Sequence, residues 1–84
     1  MHEGAVCTEI MDIVSAAARR NDIEKVYEIV IAAGPYTCVN EQQLNFYFSV
    51  KRKGTCMENA VIRMIRDESL QGPSQLYVKT FKGE

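Results

Sequence analysis

The chain has 84 residues, 46% of them apolar and 25% charged, enough for one small domain over 1–84 and no more. Ten Lys and Arg against eleven Asp and Glu leave a net charge of −1, which argues against a strongly basic nucleic-acid binder and against an acidic disordered tail. No apolar stretch approaches the ~20 residues of a membrane span. The start, Met1-His2-Glu3-Gly4, has neither a charged n-region nor an apolar h-region. A cytoplasmic protein with no nucleic-acid or membrane partner is therefore expected. A domain of this size buries only about 60% of its unfolded surface. The thin core motivates a homodimer, with the Glu68–Ser74 loop as a route for strand exchange.

The first element in chain order is an amphipathic helix over about residues 5–20. Val6, Ile10, Ile13, Val14 and Ala17 recur at helical spacing, and Cys7, Met11 and Ala18 widen the stripe. Glu9 and Asp12 sit early and Arg19 and Arg20 late, matching the helix dipole, and Asn21 suits a left-handed stop. A strand over 24–33 follows. It sets Tyr27, Ile29, Ile31 and Ala33 on one face and Val26, Glu28, Val30 and Ala32 on the other, and Gly34-Pro35 ends it.

The second helix carries the clearest local signature. Asn40 is a good N-cap, Gln43 completes a capping box, and Val39 with Leu44 forms a hydrophobic staple. Leu44, Tyr47, Phe48 and the stem of Lys51 make its buried stripe. Lys51-Arg52-Lys53 reads as a solvated C-terminal run, closed by Gly54. A second strand covers about 58–67, with Ala60, Ile62 and Met64 opposite Val61, Arg63 and Ile65. A third covers about 75–82, with Leu76 and Val78 opposite Tyr77 and Phe81. The order helix-strand-helix-strand-strand predicts an α+β, two-layer domain with both helices on one face of a three-stranded sheet. The last two strands are expected to pair as an antiparallel hairpin with a long turn.

Chemistry is sparse. Cys7, Cys38 and Cys56 are odd in number, widely spaced and without a C-x-x-C pair, so neither a disulfide framework nor a zinc site follows. They read as small, mostly buried hydrophobes. With one His, no catalytic triad and no H-E-x-x-H site can be assembled. An enzyme is not expected; a thiol-dependent one would need an exposed, low-pKa cysteine.

The N-terminus is the exception. The Met1 amine, the deprotonated His2 amide and the His2 imidazole lie close enough to chelate one metal ion, and the Glu3 amide or carboxylate can add a fourth donor. Nitrogen-rich planar donors suit Ni(II) or Cu(II). Met1 is expected to be retained, because initiator Met is normally removed only before small residues. The competing reading is a frayed terminal histidine with no ligand.

Along its length the chain resembles a known family. The stretches that carry the likeness are Met1-His2-Glu3, Ala17-Ala18-Arg19-Arg20-Asn21, Val26 to Gly34, Cys38-Val39-Asn40, Leu44-Asn45-Phe46-Tyr47-Phe48 and Lys53-Gly54-Thr55. No gap is needed over roughly 1–67, and Leu76 to Phe81 resembles the closing strand. The family is the HypA/HybF nickel metallochaperones, which deliver nickel to [NiFe]-hydrogenase and, in some bacteria, urease. The resemblance implies Ni(II) as the bound metal, with His2 as primary ligand, Met1 and Glu3 contributing backbone nitrogen, and Asn40 as a further oxygen donor. It also implies a HypB-type GTPase and a hydrogenase precursor as partners.

The chain departs from the family at three places. Where the family carries a zinc domain with two C-x-x-C pairs, only Ser69-Leu70-Gln71-Gly72-Pro73-Ser74 stands, so a core without zinc is expected. Gly4 replaces the family's Leu or Ile and should loosen the helix start; Asn40 replaces a common acidic residue. The expected role is binding and handing over Ni(II). The alternative is a metal-free interaction module that kept the fold and lost delivery.

Overall fold

The computed structural model describes residues 3–72 and 75–84. Five elements follow in the expected order: α1 (Glu3–Arg20), β1 (Val26–Ala33), α2 (Glu41–Lys51), β2 (Val61–Arg66) and β3 (Leu76–Gly83). Among the described residues no helix is long and apolar enough to cross a membrane.

Periodicity decided α1. Val6, Cys7, Ile10, Met11, Val14 and Ala18 all lie on its buried side. Its stop falls one residue later than expected. Asp22, not Asn21, takes the left-handed conformation (φ 56°). The Ile23 N–H then donates to the Ala18 carbonyl at 2.9 Å, closing a Schellman-type end. The Asn21 side chain folds back onto the Ala17 carbonyl at 2.7 Å.

The N-terminal signal of α2 also held. Asn40 is its N-cap, accepting the Gln43 N–H at 3.0 Å, and both staple residues, Val39 and Leu44, are buried. The helix buries Leu44 and Phe48 only. Tyr47 and Lys51 are exposed, because the inward stripe of an 11-residue helix over so small a sheet is one residue wide per turn.

The sheet order is β2-β1-β3. β1 pairs parallel with β2 and antiparallel with β3. The expected β2–β3 hairpin is therefore wrong. α2 crosses over between β1 and β2, which makes those strands parallel, and β3 returns to the free side of β1. The hydrophobic central strand, with Val26, Ile29, Ile31, Ala32 and Ala33 buried, is the one that two neighbours can cover.

Two bulges change the facing of side chains. Tyr27 is extra between the pairs Val26↔Gly83 and Glu28↔Lys82, and Lys79 is extra between Val30↔Thr80 and Ile31↔Val78. A bulge shifts alternation by one residue. Tyr27 is therefore exposed while Val26 joins the core, and Phe81 packs on the core side with Leu76 and Val78 instead of opposite them. α1, α2 and the inner face of the sheet close on one cluster that includes Ile10, Val14, Ile29, Ile31, Leu44, Phe48, Met57 and Ile62.

The outer edge of β2 is sealed by side chains of α2 and of its C-cap, Arg52. Asn45 donates to the Ile62 carbonyl at 2.8 Å and accepts the Ile62 N–H at 3.0 Å. The Glu41 carboxylate accepts the Met64 N–H at 2.6 Å, and the Arg52 guanidinium donates to the Ala60 carbonyl. Arg52 also lies over the Phe48 ring, 5.7 Å from its centroid. It is thus half-buried and engaged, not part of a solvated run.

Candidate functional site at the start of the first helix

Two of the four expected metal-site residues, Met1 and His2, lie outside the described residues. The other two open the two helices. Glu3 is the first residue of α1. The N–H groups of a first turn have no acceptor within their own helix, so the Glu3 amide is not tied up by α1. The positive end of the helix dipole also favours the anionic, deprotonated form of an amide placed there.

Asn40 is exposed, and its side-chain oxygen already serves the Gln43 N–H. An amide oxygen has two lone pairs, so one remains. The α2 residue that stands against the first turn of α1 is Tyr47. Its ring carbons lie 3.6 and 3.7 Å from where a Cβ on Gly4 would be. Tyr47 is seven residues beyond Asn40, roughly 10 Å along the helix axis.

Gly4 is the second residue of α1. A Cβ would meet the Tyr47 ring at ordinary contact distance. Gly4→Ala is therefore expected to raise stability by about 0.5 kcal/mol through helix propensity. Thermal denaturation checks it, and a lowered midpoint would show that the ring needs bare backbone beside it.

The remaining chemistry is committed to structure. Cys7 is buried, Cys56 half-buried and Cys38 exposed, so the expectation of mostly buried thiols holds fully for Cys7 alone. Cys38 lies in the open turn after Gly34-Pro35, where nothing covers it. Burial pushes the Cys7 thiol above its ordinary pKa, with the Lys51 charge opposing; a raised pKa leaves it a poor nucleophile.

Asp67 accepts bonds from the Ser69 N–H and hydroxyl and from the Tyr77 hydroxyl, at 3.0, 2.6 and 3.0 Å. The Ser69 bonds chiefly, then Tyr77 and the Lys79 charge, hold its carboxyl below the usual range. That set ties the β2–β3 connection together. Among the described residues no three His, Cys, Asp or Glu side chains gather into a metal cluster.

A surface cleft of about 380 Å³ lies at the C-terminal ends of the parallel strands, lined in part by Gly34, Thr37, Val39, Glu41, Met64 and Arg66. Its one carboxylate, Glu41, is spent on the Met64 N–H. Sequence reasoning missed the edge-sealing roles of Glu41, Asn45 and Arg52 and the surface position of Tyr47. Asn45, a polar residue beside the inward Leu44 and Phe48, was the available signal.

Residues 1–71 match the family described as "Hydrogenase/urease nickel incorporation, metallochaperone, hypA". A hydrogenase maturation factor HypA of Actinobacillus succinogenes is 42% identical over 65 residues, covering 77% of this chain and 58% of that protein. One from Prosthecochloris aestuarii is 38% identical over 60 residues, covering 71% and 53%. The chain thus spans little more than half the length of these relatives. The solution structure of the Ni metallochaperone HypA from Helicobacter pylori superposes with a TM-score of 0.81 at 11% identity, over 99% of this chain and 97% of that one. At that identity the likeness establishes the fold.

Proposed function

This chain belongs to the HypA family, and from that membership we propose that it is a nickel carrier in hydrogenase maturation, holding Ni(II) as cargo at Met1-His2-Glu3. The observation that carries the reading is the family match from residue 1, which includes the one stretch whose donors suit a planar nickel site. The Met1 amine, the His2 amide and imidazole and the Glu3 amide are the proposed donors. The Glu3 N–H at the head of α1, which has no acceptor within that helix, supports the last of these. Asn40 is proposed as an accessory oxygen donor through its second lone pair.

The role is carriage, not catalysis. A cargo site must exchange its ligands, and a short terminal chelate can be opened from one end. The partners proposed are a HypB-type GTPase and a hydrogenase precursor. Only residues 67–75 connect β2 to β3, which supports a nickel-binding core that has a short loop in place of the family's zinc lobe.

Calorimetric titration of the untagged chain with Ni(II) tests the proposal. One ion should bind per chain, and both His2→Ala and acetylation of the Met1 amine should abolish binding. Protons compete for the amine, amide and imidazole, so affinity should fall roughly tenfold per pH unit for each proton displaced as pH drops. Cu(II) should bind at least as tightly as Ni(II). A folded sample with an intact Met1 that takes up no nickel would overturn the proposal and favour a metal-free interaction module.

A further inference from the structure

We propose that Tyr47 is a positioning residue for the metal-binding terminus: its ring, reaching from α2, supplies the packing that Gly4 lacks and so holds the first turn of α1 in place for the Glu3 amide. The inference rests on the N-terminal reading above. Its evidence is separate, coming from where the Tyr47 ring stands beside the start of α1.

A helix start held by its own side chain needs a residue of some size at its second position. Gly4 offers none. The Tyr47 ring lies within van der Waals reach of the space a side chain at Gly4 would enter. It is there although it contributes little to the core: Tyr47 is 40% exposed and is not among the buried residues of α2. Phe46, itself exposed, meets the same ring edge-on, with centroids 5.7 Å apart and planes at 79°, which limits where the ring can swing. No hydrogen bond of the Tyr47 hydroxyl is found among the described residues, and the ring carbons Cδ1 and Cε1 are the atoms nearest the place a Gly4 side chain would take.

The physical consequence concerns the population of one conformation. A chelate that uses the Glu3 amide gains if Glu3 is already fixed as the first residue of α1. Apparent affinity falls in proportion to the fraction of molecules in the competent shape. Releasing the first turn from Tyr47 lowers that fraction while the core beneath, built on Leu44 and Phe48, is untouched.

The test is a set of four variants read by nickel calorimetry, with unfolding midpoints and amide exchange measured alongside. Tyr47→Ala should weaken Ni(II) binding about tenfold if the ordered fraction drops to about a tenth. It should also speed exchange at the Cys7 and Thr8 amides, which close the first turn. Tyr47→Phe should bind like the wild type, because the ring is kept. Gly4→Leu combined with Tyr47→Ala should restore affinity to within about twofold, since a side chain at the helix start then replaces the ring; non-additivity of this kind identifies a shared contact.

His2→Ala is the fourth variant and separates the two possible failures. If it abolishes binding while Tyr47→Ala binds as tightly as wild type, the positioning role is wrong and the terminal site stands. If the wild type itself binds no nickel, the site is wrong and the positioning role falls with it. A loss in Tyr47→Ala that the double variant does not rescue would also overturn the pairing of Tyr47 with Gly4.

Discussion

Phe48→Ala is expected to destabilise the chain by about 3–5 kcal/mol. Phe48 is the largest fully buried side chain, with no exposed surface. It sits where α2 meets α1 and the sheet, in the same cluster as Ile10, Val14, Ile29 and Ile62. Truncation removes its transfer energy and leaves a void that two helices pinned to one sheet can only partly close. It also strips the surface over which Arg52 lies on its way to the Ala60 carbonyl. Domains of this kind have roughly 0.05–0.15 kcal/mol of stability per residue, so the loss takes much of the total. Urea denaturation with an unchanged slope checks it. A cost under about 1.5 kcal/mol would mean that the helices settle into the space, and that α2 is less firmly fixed by its backbone than its seal on β2 suggests.

Asn45→Ala should cost about 2–4 kcal/mol and change how the chain behaves at high concentration. Its amide replaces a neighbouring strand: one donor and one acceptor meet both backbone groups of Ile62, a residue only 2% exposed. Without it, two backbone groups lose their partners beside a buried side chain. The middle of the β2 edge then becomes a row of free N–H and C=O groups, a template for pairing with another chain. Denaturation measures the first effect and sedimentation at rising concentration the second. Asn45→Asp keeps the acceptor and loses the donor, so it should fall between the two. A change below about 0.5 kcal/mol, with a chain that stays monodisperse, would show that water takes over both bonds and that Glu41 and Arg52 seal the edge unaided.

Much of the fold was legible because its signals are local. The 3.6-residue stripe of α1 and the Asn40–Gln43 cap are short-range, and each was found close to where the structure has it. The alternation of β2 also held, with Ile62 and Met64 turned inward and Val61, Arg63 and Ile65 exposed. The family likeness was legible for a different reason: many weak stretches in one order along the chain outweigh any of them alone. The proposed nickel site rests on three consecutive residues, so proximity there follows from the chain itself.

Apart from the α1 stop, which falls at Asp22 instead of Asn21, the misreadings involve two segments meeting. Strand partners could not be read from alternation, which says which side a residue faces and not which strand lies beside it. The bulges at Tyr27 and Lys79 move side chains across the sheet without leaving a mark in composition. Tyr47 looked like core because an aromatic next to Phe48 usually is; only the narrow contact between α2 and α1 sets it outside, against Gly4. Arg52 looked solvated because it stands between two lysines, yet the Ala60 carbonyl lies within its reach.

The sequence by itself thus determined the elements and the N-cap of α2, since each depends on neighbours within about four positions, and the family, through the order of many stretches along the chain. Tertiary structure alone decided which strands pair, which edge is sealed and what stands beside the start of α1. Those outcomes depend on hydrogen bonds and contacts between residues 8 to 57 positions apart, from Arg52 and Ala60 to Val26 and Gly83, whose meeting no local pattern encodes.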